Sequence, residues 1–177
     1  FANRDAILFA PGLADVVIPV ECVDEKRTPE RSRETLRAMT SAFRDERCVV
    51  IFPSGRLAMA TGRGLRERPW ATTAVSLARR YDAPLVPVHV SGANSLLYYA
   101  LWQVSEELRN MTLFRELLNK RNRRYRVRVG AQVHPDALPE PLPQATDALR
   151  AHVEEGLPRG VVRYNPAPSR DPGARSP

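Results

Sequence analysis

Cys48-Val49-Val50-Ile51-Phe52-Pro53-Ser54-Gly55-Arg56 is an unbroken apolar run closed by a proline, a glycine and an arginine. Strands covered on both faces read as continuous rather than alternating hydrophobic runs, so residues 48–52 are predicted as a central strand of an α/β sheet. In open sheets of that class, ligands gather outside the carboxyl ends of the strands. Pro53 ends the strand, Gly55 permits close backbone approach and Arg56 supplies charge. Phe52, Pro53, Ser54, Gly55 and Arg56 are therefore the candidate substrate-binding residues, in a turn able to hold a phosphate or a carboxylate. The competing reading is an ordinary Pro-Gly turn with solvated arginines.

Outward from this run, short apolar segments alternate with helical patterns: Val16 to Val20, Pro29 to Arg44, Trp70 to Tyr81, Pro84 to Val90, Ser95 to Leu108 and Tyr125 to Val133. That rhythm predicts an α/β fold, a mainly parallel sheet with crossover helices on both faces, with Leu85 to Val90 as the second central strand. Thr28 and Pro29 open a helix whose Leu36, Met39 and Phe43 fall on one stripe. Trp70, Ala74, Leu77, Ala78 and Tyr81 repeat likewise, and Asp82-Ala83-Pro84 stops that helix. Ala145, Leu149, His152 and Val153 mark a last short helix. One domain over residues 1–155 is expected, followed by a disordered Pro- and Arg-rich tail at 156–177.

The 177 residues carry a net charge of +7, mostly from arginine. Arginine holds phosphate in a two-pronged fork, so an anionic partner is expected, of a kind that composition alone leaves open. No run approaches the roughly 18 apolar residues of a membrane-spanning helix. Cys22 and Cys48 form no metal-binding spacing and read as small core residues in a reducing compartment. Phe1 stands where a methionine would begin a chain, and the apolar residues 6–9 follow almost at once, so the sequence reads as cut from something longer.

On these residues the chain resembles the phospholipid/glycerol acyltransferases related to 1-acylglycerol-3-phosphate acyltransferase. Phe52, Pro53 and Gly55 match the family's Phe-Pro-Glu-Gly-Thr-Arg-Ser motif, and Val86-Pro87-Val88 matches its apolar strand with an internal proline. Gly92-Ala93-Asn94-Ser95-Leu96-Leu97-Tyr98-Tyr99 and Phe114-Arg115-Glu116-Leu117-Leu118 look more like the haemolysin-like or ornithine-lipid acyltransferase branch. The resemblance covers most of residues 1 to 134 and implies a glycerol-phosphate-acyltransferase-like fold, incomplete at the N-terminus. It also implies transfer of a fatty acyl group from acyl-CoA or acyl carrier protein to a lysolipid, with no tightly bound cofactor and no metal, at the cytoplasmic face of the membrane.

Ser54 stands where the family has Glu, and Arg56, Leu57 and Ala58 replace Thr, Arg and Ser; Glu21 lies near where many relatives have arginine. These departures shift weight from a glycerol-phosphate acceptor to a zwitterionic or amino-acid lipid. The family's His-x-x-x-x-Asp dyad, whose histidine acts as general base on the acceptor hydroxyl, is absent: the residues five positions after His89, His134 and His152 are Asn94, Pro139 and Leu157. No catalytic residue is assigned within this chain. The dyad is expected upstream of Phe1, and the chain alone is expected to be inactive.

His89, inside an apolar strand, reads as a satisfied core or sheet-edge histidine, and His134 as a strand end. Leu96, Leu97, Tyr98, Tyr99, Leu101, Trp102 and Val104 form a helix apolar nearly all round, able to pack in the core, line an acyl pocket or dip into a bilayer surface. Lys120, Arg121, Arg123, Arg124, Arg126 and Arg128 can dock on an anionic membrane surface or simply guard an edge strand. Asn94 and Ser95 are N-cap candidates. The rival readings are a noncatalytic membrane-surface or lipid-binding module and, more weakly, a nucleic-acid binder, for which no recognition helix or stacking motif is present.

Overall fold

The computed structural model describes residues 2–3, 12, 16–20, 28–55, 58–61, 64–104, 112, 115–116, 118–121 and 123–165. Among the sequence expectations, Glu21, Cys22, Arg56, Leu57, residues 105–108, Phe114, Leu117 and the tail from 166 lie outside them. The chain divides into two compact units, Phe1–Gly55 and Arg56–Pro177.

In the first unit, β1 (Ala2–Asn3) pairs in parallel with β2 (Pro19–Val20). Helix α1 (Pro29–Arg44) begins as expected: the Arg31 N–H donates to Thr28 Oγ1 at 3.3 Å, and Pro29 takes the first turn, where its missing N–H costs nothing. Glu30 in the first turn and Arg44 in the last both complement the helix dipole. Met39 and Ala42 are buried, but Leu36, one turn earlier on the expected stripe, is exposed. Burial along this face is confined to the helix's C-terminal half.

Residues 48–52 depart from the expected buried strand. They take no place in any of the ladders formed by the described residues, and Val50 and Phe52 are 61% and 68% exposed. Val49 and Ile51 between them are half-buried, so the run is covered on one side at most. Cys48, expected in the core, is an exposed free thiol.

In the second unit, β3 (Met59–Thr61) and β4 (Gly64–Arg66) form an antiparallel pair. Helix α2 (Thr73–Tyr81) starts later than Trp70 and buries Ala74, Val75, Leu77 and Ala78. Asp82 ends it with φ of 48°, left-handed backbone that aspartate tolerates better than most residues. Strand β5 (Val88–Ser91) pairs with β6 (Arg126–Val129), antiparallel, with Val88 opposite Val129 and Ser91 opposite Arg126. The expected mainly parallel sheet is therefore not formed among the described residues: three two-stranded sheets are present, one parallel and two antiparallel.

Leu85 and Val133 exchange backbone hydrogen bonds of 2.9 and 2.8 Å. Between that bridge and the Val88–Val129 pair, Val86 and Pro87 face Gly130, Ala131 and Gln132, so the longer side carries one extra residue as a bulge. Pro87 causes the break, because it has no N–H for the ladder; its carbonyl accepts the Gly130 N–H at 2.8 Å. A Cβ at Gly130 would stand 2.8 Å from Pro87 Cγ and 3.2 Å from the Val162 carbonyl oxygen, so glycine is required there for space.

Helix α3 (Leu96–Val104) follows β5, and α4 (Leu142–Ala151) runs on through a π turn at His152–Gly156 and a 3-10 turn at Leu157–Arg159. The core joins Val75, Val133, Leu138, Ala145 and Leu149, with Trp70, Leu85, Leu142 and Tyr164 packed against it. The packed structure continues past residue 155: Leu157 is buried, and the Ala131 N–H donates to the Val162 carbonyl at 2.8 Å. Two arginines bracket this core. Arg79 donates to the Leu138 and Pro139 carbonyls at 3.2 and 2.9 Å and pairs with Glu140 at 2.7 Å. Arg150 donates to the Glu67 carbonyl at 2.8 Å and pairs with Glu154 at 3.0 Å. Among the described residues no helix is long and apolar enough to cross a membrane.

Candidate functional site

The turn singled out in the sequence is a true turn. Gly55 donates its N–H to the Phe52 carbonyl at 3.0 Å, with Pro53 at the corner position that its fixed φ suits. Gly55 has φ of 61°, and a Cβ there would touch nothing within 4 Å, so the backbone conformation rather than space calls for glycine. Phe52 and Gly55 are exposed, and Pro53 and Ser54 are half-buried. Arg56, the charged member of the set, lies outside the described residues. In the second unit an open cavity is lined by Ala131, Gln132, Val133, His134, Ala137, Arg163 and Tyr164.

A second polar cluster forms where β5 passes into α3. Ser95 caps α3 as expected, its Oγ accepting the Tyr98 N–H at 3.2 Å. Its hydroxyl donates to Glu116 Oε1, while its backbone N–H donates to Glu116 Oε2 at 2.8 Å. Lys120 donates to Asn94 Oδ1, and the Asn94 N–H donates to the Tyr99 hydroxyl at 3.2 Å. Burial works to raise the Glu116 carboxyl, but the hydroxyl and N–H of Ser95, with the charges of Lys120 and Arg115, outweigh it and hold the group below its ordinary value. The Ser95 hydroxyl thus accepts one bond as the helix cap and donates another to Glu116, which anchors the loop. Sequence reasoning picked out Asn94 and Ser95 as caps but missed Glu116, which stands 21 positions from Ser95 with no local pattern to link them.

His89 lies half-buried on β5 opposite Arg128, with Nδ1 3.5 Å from Ser91 Oγ. Among the described residues no carboxylate is bonded to its ring. His134, exposed, lies 3.4 Å from both Asp82 and Asp136. His152 is buried, with its ring edge-on to Tyr164 at 5.6 Å. Burial pushes the His152 imidazole below its ordinary value and the Tyr164 phenol above its own. Among the described residues no group of histidine, cysteine and carboxylate side chains could hold a metal ion.

Comparison with known proteins adds what geometry does not. The model of the family described as Acyltransferase matches residues 1–91. A lyso-glycine lipid O-acyltransferase of Phocaeicola vulgatus is 23% identical over 136 residues, covering 73% of this chain and 47% of that protein. One of the same description from Bacteroides thetaiotaomicron is 23% identical over 105 residues, covering 59% of this chain and 37% of its own length. The chain thus spans less than half the length of these curated relatives. No solved structure matches.

Proposed function

The chain belongs to the acyltransferase family, and from that premise we propose that the protein of which it is part transfers a fatty acyl group to the hydroxyl of a lysolipid with an amino-acid head. The family match over residues 1–91 carries the proposal. The acceptor class is supported by two things. Ser54, Arg56, Leu57 and Ala58 depart from the residues expected for a glycerol-phosphate acceptor, and the curated relatives are described as acting on lyso-glycine lipid.

In the proposed reaction the acceptor oxygen forms an ester bond with the acyl carbon as the carbon–sulfur bond of an acyl-CoA or acyl-carrier-protein thioester breaks. The hydroxyl proton passes through a general base to the departing thiolate. The base that the family resemblance implies is the histidine of a His-x-x-x-x-Asp pair, which residues 1–177 do not contain. Phe52 to Arg56 hold the polar head, with Gly55 letting the backbone approach and Arg56 meeting the acceptor's carboxylate.

The test uses the protein as its gene encodes it, incubated with lyso-glycine lipid or lysophosphatidic acid and palmitoyl-CoA or palmitoyl-acyl carrier protein, with products read by mass spectrometry. O-acylated glycine lipid is expected, formed faster than phosphatidic acid and more slowly when Arg56 is replaced by Ala. Residues 1–177 alone should form none. Failure to acylate any lysolipid overturns the reading in favour of a noncatalytic lipid-binding module.

A further inference from the structure

Residues 115–128 hold seven cations, Arg115, Lys120, Arg121, Arg123, Arg124, Arg126 and Arg128, against one carboxylate, Glu116. That carboxylate is buried and bonded to Ser95, so it does little to neutralise the outer surface. Arg121, Arg123, Arg124 and Arg126 are exposed, and among the described residues no acidic side chain pairs with them. Apolar groups stand in the same stretch: Leu118 is 72% exposed, and Tyr125 and Val127 are also open to solvent. The segment is not a loose tail, because Glu116 ties one end to the N-cap of α3 and β6 ties the other to β5.

We propose that this segment is the docking surface for a bilayer leaflet rich in anionic head groups. Charge complementarity selects an anionic partner, and the apolar side chains select a bilayer over a nucleic acid. Exposed cations gain from the negative surface potential of such a leaflet, while a leucine and a tyrosine among them gain from the interfacial zone, where Tyr places its ring in the apolar layer and its hydroxyl in the wet one. A polynucleotide would satisfy the arginines but would leave Leu118 in water. Because Glu116 and β6 anchor the segment at its two ends, binding spends less free energy on immobilising it. The inference stands apart from the catalytic reading, since it needs neither a dyad nor an acceptor site.

Co-sedimentation of the chain with vesicles tests it, comparing pure phosphatidylcholine with an equimolar mixture of phosphatidylcholine and phosphatidylglycerol. Binding only to the mixed vesicles, weakened by added salt, is expected. The triple variant R121E/R123E/R124E should bind about a hundredfold or more weakly, since each cation near such a surface contributes on the order of fivefold. Its arginine-to-lysine counterpart, R121K/R123K/R124K, should retain binding. Tyr125→Ala and Leu118→Ser should each weaken binding roughly fivefold at unchanged charge. Circular dichroism on each variant separates loss of binding from loss of fold. Equal binding to both vesicle types, an unaffected charge-reversed triple variant, or duplex DNA bound more tightly than mixed vesicles would each overturn the proposal; unchanged binding by both apolar variants overturns its bilayer half.

Discussion

Two aliphatic regions of this chain meet opposite fates. Val75, Val133 and Leu149 are 1%, 3% and 5% exposed in the core of the second unit, whereas Val50 and Phe52, in the run that carries the family motif, lie largely in solvent. Hydrophobicity alone does not distinguish them, since valine stands in both and the rest of each is apolar. What differs is the set of long-range constraints. Around the core, Arg79 and Arg150 reach 59 to 83 residues along the chain to backbone carbonyls, and the Leu85–Val133 bridge closes the ladder. Around residues 48–52 the backbone makes a local turn, Phe52 to Gly55, and joins none of the ladders formed by the described residues. Hydrophobicity supplies the drive to bury, and directional ties decide which segment is buried.

The contrast breaks if the core tolerates truncation. Leu149→Ala should lower stability by about 2–5 kcal/mol, seen as a lower urea midpoint, because the packed surroundings cannot fully close over the lost methyl groups. Gly130→Ala comes next, at about 1–3 kcal/mol, since the new methyl must displace Pro87 or the Val162 backbone. Replacing Arg79 by Lys should cost about 1 kcal/mol, as a single nitrogen lacks the planar fork whose one arm meets the two carbonyls while the other meets Glu140. Phe52→Ser should shift stability by no more than about 0.5 kcal/mol. A loss from Phe52→Ser as large as that from Leu149→Ala would show that the two regions are alike after all.

Acid should sharpen the same contrast. His152 has a folded-state pKa below its unfolded value of 6.5, so above that pH both states hold it neutral and its contribution is complete. As pH falls below 6.5 the unfolded chain takes up the proton first, and stability declines toward the folded pKa. Glu116, lowered from 4.5, acts with the same sign in a lower window: its contribution is present above 4.5 and lost as pH falls further. Urea midpoints measured from neutral to pH 4 should fall in two stages, and His152→Phe should remove the first.

Much of the local structure was legible in the sequence. Thr28-Pro29 opens α1, Asp82 closes α2, Ser95 caps α3, and Ala145, Leu149, His152 and Val153 share a buried face, because each signal acts within a turn or two of the chain. The arrangement of strands was not. Whether Val86 to Val90 pairs in parallel or antiparallel depends on residues about forty positions away, and a run of valines does not record its partner's direction. The turn at Phe52 to Gly55 was legible as a turn from its proline and glycine. Glu116 was invisible because a lone glutamate in a helical pattern reads as solvated, and only the fold brings it to Ser95.

Pro87 and Gly130 have a consequence outside this molecule. The proline interrupts the ladder and the glycine fills the tight space beside it, so either residue without the other leaves a gap or a clash. In any homologous chain that keeps this crossing, the two positions should change together. That covariation can be sought in bare sequences, and it would mark the crossing in proteins for which no coordinates exist.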